Sequence, residues 1–309
     1  MPSCPVPVLI SQKDLPRVLA IVVFGLVAVS LLALQLNNFF AADDQNESFS
    51  FPFVQFAIQM LNSLQMDVQD VIFAYSCYML LFYSKVKVFI GLYTIMLVVS
   101  RFYEHGTYVL YEMLWGCNVS LVLVVMALSL SNTFLVGVTM VMVSGDHLLW
   151  YIDTLSFILT GKFITGAMKY FSCPENRSFS KTVFATHHLW FLPVCFYITT
   201  PHGGMHSSSY MGSCILSFFL ASYCRAFTPF EVRIPGSENV LHLNVNGGYA
   251  FWKDIDIPLL HLLDHHHPAL YLPFLVIVGN LVANGFPHIL ILGISLGLQH
   301  NPLLEGITH

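Results

Sequence analysis

The residues of this chain that are best suited to covalent chemistry are a thiol and an imidazole, Cys117 and His188, in two separate apolar segments. A cysteine becomes a useful nucleophile when a nearby base or positive charge favours its thiolate, and a histidine within hydrogen-bonding reach would do this. A carboxylate or an amide would then orient the imidazole, and Asp146, Asn246 and Asp264 have suitable side chains. Such a set predicts nucleophilic catalysis by a thiol, with Cys117, His188, Asp264 and Asn246 as the candidate catalytic residues.

Other polar residues expected near the same membrane face are candidates for substrate binding: Asn118, Asp146, His187 and Tyr249. Ionisable residues inside membrane spans are costly and usually mark function. Each feature also has a structural explanation. Cys117 could be a packing residue, and two adjacent histidines on a helix would not both be expected to face the interior. We predict no cofactor and no metal site, and the run His265–His267 could be a solvated turn.

The elements that must position these residues are expected to be membrane helices. The chain is 56% hydrophobic and only 9% charged, and its mean hydropathy is +0.70, whereas soluble domains carry about 25% charged residues. A bilayer accepts only helices or closed barrels, and the long, non-alternating apolar runs favour helices. The net charge of −5 without a basic stripe argues against nucleic-acid binding. The expected partners are membrane lipids.

We therefore predict an all-α transmembrane bundle of seven to eight spans, folded as a single integral membrane domain over residues 1–309. The first span follows two basic residues and is interpreted as retained, because no small-residue cleavage site follows it. A short amphipathic piece is predicted at 52–64, and a polar segment at 228–268 is predicted to cap one membrane face. The predicted spans are 18–36, 68–84, 87–102, 109–130, 133–152, 183–199, 209–227 and 269–292.

Alternation of these spans brings the candidate residues towards one membrane face. With a rise of 1.5 Å per residue, Cys117 would lie about 12 Å and His188 about 7 Å below that face. The same face carries most of the basic residues, so it is expected to be cytoplasmic. Those residues are Arg101, Lys162, Lys169, Arg177, Lys181, Arg225, Arg233 and Lys253.

Three motifs in this order resemble the YwaF-like family of integral membrane proteins. Residues 114–120 read Leu-Trp-Gly-Cys-Asn-Val-Ser, and residues 186–193 read Thr-His-His-Leu-Trp-Phe-Leu-Pro. Residues 244–249 read Asn-Val-Asn-Gly-Gly-Tyr and are followed by Pro258, Leu263-Asp264 and Pro268-Ala269-Leu270-Tyr271. The resemblance covers about residues 105–285.

The YwaF-like family includes a transmembrane acyltransferase that remodels ether phospholipids, and it is similar to the androgen-induced-gene serpentine hydrolases. The resemblance implies a lipid acyltransferase or lipid ester hydrolase, with Cys117 as the acyl-accepting nucleophile and His188 as its base. Two features depart from the family pattern. Asn118 stands where some members have a histidine or an aspartate, and the connector at 155–180 is long.

Other functions stay open at this point. The polar residues could bind a ligand or hold helices together in a non-enzymatic transporter, receptor or assembly subunit. A fatty-acid elongase-like enzyme is suggested by Ile152-Asp153-Thr154 followed by His187-His188, although Phe184 stands where the elongase box has a further histidine. A di-iron lipid-modifying enzyme would need clustered histidines, for which His261 and His265–His267 come nearest.

Overall fold

The computed structural model describes residues 15–40, 68–105, 107–172, 179–233, 240–251 and 258–299. The amphipathic piece predicted at 52–64 lies outside the described residues. So do Arg177 and Lys253, which contributed to the charge count of the predicted cytoplasmic face.

The described chain is built mainly from helices, as predicted, and the all-α class is confirmed. The α-helices are α1 (Leu15–Phe40), α2 (Val68–His105), α3 (Gly116–Ser129), α4 (Thr133–Thr160), α5 (Phe179–Ala185), α6 (His187–Thr199), α7 (Ser209–Phe227), α8 (Pro268–Val278) and α9 (Phe286–Gln299). Shorter 3-10 turns cover Thr107–Leu114, Lys169–Ser172, Thr200–His202, Val245–Gly247 and Pro258–His261, and a π-helical turn, Gly279–Gly285, joins α8 to α9. Strands β1 (Glu231–Arg233) and β2 (Val240–His242) pair antiparallel in the polar segment.

Among the described residues, three helical stretches are long and apolar enough to cross a membrane: Leu15–Asn37, Thr133–Thr160 and Pro268–Ser295. They correspond to the first, fifth and last predicted spans. The fifth is longer than predicted, because α4 continues to Thr160 and ends where Gly161 adopts a left-handed conformation.

The second and third predicted spans are a single helix. Helix α2 runs without interruption over 38 residues, through the position of the predicted break at Lys85 and Lys87. Lysine is a good helix former, and no glycine or proline lies between these two predicted spans. At 1.5 Å per residue, such a helix is about 57 Å long, well beyond the ~30 Å of a bilayer core.

Helix α4 is the centre of the bundle. Its candidate span is 61% buried, against 28% for α1 and 24% for the stretch containing α8 and α9. Every residue from Phe134 to Val141 is buried, because α3, α6 and α7 pack around this half of the helix. A helix that is apolar on all sides belongs in a core. The residues in the second half of α4 therefore lie next to side chains of the neighbouring helices.

Helix α7 approaches α4 closely at Gly212. A Cβ atom placed on Gly212 would lie 2.8 Å from Val138 Cγ2 and 3.1 Å from Phe134 Cζ. We expect Gly212→Ala to lower the free energy of unfolding by about 1–3 kcal/mol, because a packed core does not accept an extra methyl group without rearrangement. Thermal unfolding in detergent measures this.

Gly91 in α2 is the matched control, since a Cβ atom there meets nothing within 4 Å. Gly91→Ala should leave stability unchanged or raise it by up to about 1 kcal/mol, because alanine favours helix over glycine. Equal unfolding temperatures for the two variants would mean that α4 and α7 do not pack as described.

Candidate functional site

Cys117 lies in the first turn of α3, which begins at Gly116. The sequence analysis placed it about two turns inside a longer helix. The preceding residues instead form the 3-10 turn Thr107–Leu114, and Trp115 is extended, with φ −57° and ψ 139°. Cys117 therefore sits at a helix start, and its side chain is half-buried.

Asn246 holds the backbone on both sides of this helix start. Its Oδ1 accepts a hydrogen bond from the Gly116 N–H at 2.8 Å, and its Nδ2 donates to the Leu114 carbonyl at 2.6 Å. Nδ2 also lies 3.2 Å from Cys224 Sγ on α7. Asn246 adopts a left-handed conformation, with φ 54°, which asparagine tolerates better than most residues. It positions Cys117 through the backbone and fixes α3 to α7.

His187 and His188 open helix α6, and both approach Cys117. The Sγ atom and one nitrogen from each ring lie within 4.8 Å of one another. The expectation that only one of these adjacent residues faces the interior is therefore wrong. Each ring is drawn back along the helix by a hydrogen bond from Nδ1 to the carbonyl three residues earlier, of Phe184 and Ala185 respectively.

The ring of His188 is held between two hydrogen-bond acceptors. Its Nδ1 lies 3.0 Å from the Ala185 carbonyl, and its Nε2 lies 3.2 Å from Asp146 Oδ2. A carbonyl and a carboxylate only accept, so both ring nitrogens carry protons and His188 is an imidazolium ion. The ring also stacks on Trp150, at 4.2 Å between centroids and 4° between planes. Asp146 and Trp150 reach it together because they are four residues apart on α4.

Within the described chain, the ring of His187 has an acceptor at one nitrogen only. Its Nδ1 donates to the Phe184 carbonyl at 2.7 Å, which leaves the lone pair on Nε2. The residue is only 3% exposed, and Nε2 is buried with no hydrogen-bond partner among the described residues. Tyr93 closes one side of this ring, 3.5 Å from Nδ1, and donates to the Phe184 carbonyl at 2.9 Å.

His147 on α4 repeats this pattern. Its Nδ1 bonds to the Val143 carbonyl at 2.9 Å, and its Nε2 is buried without a partner in the described part of the chain. Its ring centroid lies 5.0 Å from that of His188 and 6.3 Å from that of His187. The site therefore contains one imidazolium ion and two bare imidazole nitrogens beside a thiol.

The other predicted catalytic carboxylate, Asp264, has different partners. Its oxygens accept hydrogen bonds from the Phe251 N–H and pair with His261 Nδ1, both at 2.7 Å. The two acceptors that contact the His188 ring belong to Ala185 and Asp146, and Asp264 is not one of them. Of the three groups that the sequence offers to orient His188, which are Asp146, Asn246 and Asp264, Asp146 is the one that pairs with it, because α4 packs against α6.

Tyr249 and Asp264 both belong to the polar segment 228–268, which is called the polar cap below. Its hydroxyl donates to the Thr228 carbonyl at 2.6 Å, and the Arg225 guanidinium lies 4.2 Å from the ring centroid. Burial raises the pKa of Tyr249, and the positive charge of Arg225 opposes this. These contacts fix Tyr249 to the end of α7.

Asn118, a predicted substrate-binding residue, is buried beside Cys117. Its Nδ2 donates to the Glu112 carbonyl at 2.8 Å, and its Oδ1 is buried with no partner among the described residues. The Glu112 carboxylate lies 4.0 Å from Arg101. Burial raises the pKa of Glu112, and the Arg101 charge opposes it.

Three residues of the site were not assigned to it from the sequence: Tyr93, His147 and Trp150. The spacing of Asp146, His147 and Trp150 within one turn was the available signal. Tyr93 carries no comparable signal, because it lies in an apolar helix 94 residues from His187.

The residues behind the alternative enzyme classes have structural partners. Asp153, part of the elongase-like element, is fully buried and accepts hydrogen bonds from the backbone N–H groups of Ile164, Thr165 and Met168. It therefore anchors the connector after α4. The residues His265–His267 are exposed in the polar cap, where the His267 ring accepts from the Ala269 N–H.

No protein-family model, no curated protein and no solved structure matches this chain. What the site can do is therefore derived from its own side chains.

The pairing of Asp146 with His188 predicts the reactivity of Cys117. We expect Asp146→Asn to slow alkylation of Cys117 about tenfold at neutral pH, because a positive charge beside a thiol favours its reaction. The asparagine has no negative charge to keep the His188 imidazole ring charged. Mass spectrometry of the Cys117 peptide after timed exposure to a maleimide measures the rate.

Asp264→Asn is the matched control, because it removes the same charge from the polar cap. It should leave the alkylation rate of Cys117 unchanged. A larger effect of Asp264→Asn than of Asp146→Asn would restore Asp264 as the orienting carboxylate.

Proposed function

We propose that this protein is a membrane-embedded enzyme that transfers or hydrolyses the acyl group of a lipid ester, with Cys117 as the nucleophile. The observation that carries the proposal is the placement of the Cys117 thiol within 4.8 Å of ring nitrogens of His187 and His188. One histidine has a bare nitrogen and the other is cationic. The YwaF-like resemblance of the three motifs implies the same reaction class.

In the first half-reaction, His187 Nε2 accepts the proton of the Cys117 thiol, and Sγ attacks the ester carbonyl carbon. The sequence analysis gave the role of base to His188. The two acceptors on His188 favour His187 instead, since His187 has the unprotonated nitrogen. The His188–Asp146 pair stabilises the thiolate and then the oxyanion of the tetrahedral intermediate.

Collapse of this intermediate breaks the bond between the carbonyl carbon and the alcohol oxygen. The leaving alcohol takes the proton from His187, and the acyl group remains on Cys117 as a thioester. A second alcohol, or water, then gives its proton to His187 and attacks the thioester. This step releases the new ester or the free acid and restores the thiol.

A small cavity of about 180 Å³ beside Gly116 supports a lipid substrate. Its apolar lining includes Met142, Leu220 and Leu275, from α4, α7 and α8, and its polar lining consists of Ser217, Asn246, Asn280 and Asn284. We propose that part of the acyl chain lies here, next to the nucleophile.

The proposed topology is multi-pass, with seven spans when α2 is counted once. In addition to the three helical stretches named above, α2, α3, the α5–α6 pair and α7 would cross the membrane. The site then lies towards the face that carries the connector after α4, which is the expected cytoplasmic face.

The main test uses purified protein in nanodiscs with a phospholipid whose acyl chain is labelled. Cys117→Ala should abolish transfer and hydrolysis, and His187→Gln should lower kcat by about 10²–10⁴, the usual contribution of a general base. A thioester on the Cys117 peptide, removed by hydroxylamine, should be detectable by mass spectrometry in the unmodified protein.

The matched control is Cys214→Ala, which removes another half-buried free thiol, on α7. It should retain activity. Full activity of Cys117→Ala would contradict the mechanism. If no acyl-enzyme forms and phospholipid only raises the unfolding temperature, the protein is a lipid-binding transporter, receptor or assembly subunit instead.

A further inference from the structure

The Cys117 site has the ligand types and the vacant electron pairs of a transition-metal site. Zinc is bound in proteins by cysteine thiolates and neutral imidazoles, usually with four ligands in a tetrahedron. Cys117, His187 and His188 have three potential ligand atoms within 4.8 Å of one another, and His187 is almost completely buried. The thiol and the His188 imidazolium would each lose a proton to become ligands.

A second observation points independently to a ligand. The Nε2 atoms of His187 and His147 are buried and have no hydrogen-bond partner among the described residues. A buried acceptor without a partner costs free energy. In each ring, Nδ1 is fixed on a backbone carbonyl, at 2.7 Å for His187 and 2.9 Å for His147. This is the arrangement that holds a metal-ligating imidazole in the correct tautomer.

We propose that the site binds one Zn²⁺ ion through Cys117 Sγ, His187 Nε2 and a nitrogen of His188. With bond lengths of about 2.3 Å to sulfur and about 2.0–2.1 Å to nitrogen, ligand atoms in a tetrahedron lie roughly 3.3–3.8 Å apart. Because the present separations are within 4.8 Å, side-chain movements of up to about an ångström complete the coordination. The fourth position is taken by water or by His147, whose ring lies 5.0 Å from that of His188.

Binding releases two protons. One comes from the Cys117 thiol, and the other comes from the His188 imidazolium, which must free one nitrogen for the metal. The neutral contact with Ala185 is the one that is given up, because the contact with Asp146 is between charges. Asp146 then orients a metal-ligating histidine, as carboxylates do in many zinc sites.

The consequence for activity rests on the proposed function. Zinc would occupy both the nucleophile Cys117 and the base His187, so the ion would be a reversible inhibitor of acyl transfer. The chemistry and the inhibition use the same electron pairs, and the enzyme cannot do both at once.

The first measurement is metal binding alone, on the purified full-length protein in detergent. Titration with Zn²⁺ in a buffered free-metal series should give one tightly bound ion per chain, determined by elemental analysis. Co²⁺ in its place should produce a thiolate-to-cobalt charge-transfer band in the near ultraviolet. Cys117→Ser and His187→Gln should each weaken Zn²⁺ binding by at least about tenfold and remove this band.

The matched controls test the other thiols and histidines. Cys214→Ser and the cap variant His266→Gln should bind Zn²⁺ as the unmodified protein does. Binding that survives Cys117→Ser but is lost in His266→Gln would place the metal on the exposed cap histidines and overturn the proposal.

A protection assay on the unmodified protein tests the metal site even if the variants do not fold. Zn²⁺ should block maleimide modification of Cys117, and a chelator should restore it. Unchanged modification at saturating Zn²⁺ would overturn the metal site even if the variants did not fold.

The two proposals fail in different ways. Acyl transfer without Zn²⁺ binding would overturn the metal site and leave the proposed function intact. Zn²⁺ binding that depends on Cys117, in a protein that forms no acyl-enzyme, would retain the metal site and overturn the enzyme. Acyl transfer at full rate with Zn²⁺ bound to Cys117 would overturn the inhibition.

Discussion

The ion pair between Asp146 and His188 is the interaction on which the site depends. It joins α4, the most buried of the three candidate membrane spans, to the first turn of α6, and its Nε2–Oδ2 distance is 3.2 Å. A charged imidazole in an apolar bundle is stable only when its charge is compensated and its N–H groups are satisfied. Asp146 and the Ala185 carbonyl do both, and Trp150 covers the face of the ring. The result is a fixed positive charge beside a thiol.

A second constraint comes from the backbone. Helix α3 starts at Gly116, and the N–H and C=O groups around that start need partners away from water. Asn246 supplies them from the polar segment, which is 130 residues away in sequence. The polar cap is therefore part of the site's support. Asp264 and Tyr249 act within the cap, because they bond to its own backbone and to the end of α7.

Composition predicted a membrane protein, because a chain with 9% charged residues cannot cover a soluble surface of this size. The long, non-alternating apolar runs then predicted helices rather than a barrel. The sequence pattern also selected Cys117, His187, His188 and Asp146 as polar residues within apolar segments, where ionisable groups usually mark function. It divided α2 into two spans, since a pair of lysines is a plausible loop signal. Lysine nevertheless favours helix, and only the three-dimensional path could show one continuous element.

The sequence by itself determined the class of fold and the types of side chain available for chemistry, because hydropathy and residue chemistry are local properties. The tertiary structure decided the partners. Asp146 rather than Asp264 reaches His188, both adjacent histidines turn towards Cys117, and His147 joins them. These outcomes depend on which helices pack side by side and on where a helix begins. Both are set by the packing of segments far apart in the chain, which no local pattern encodes.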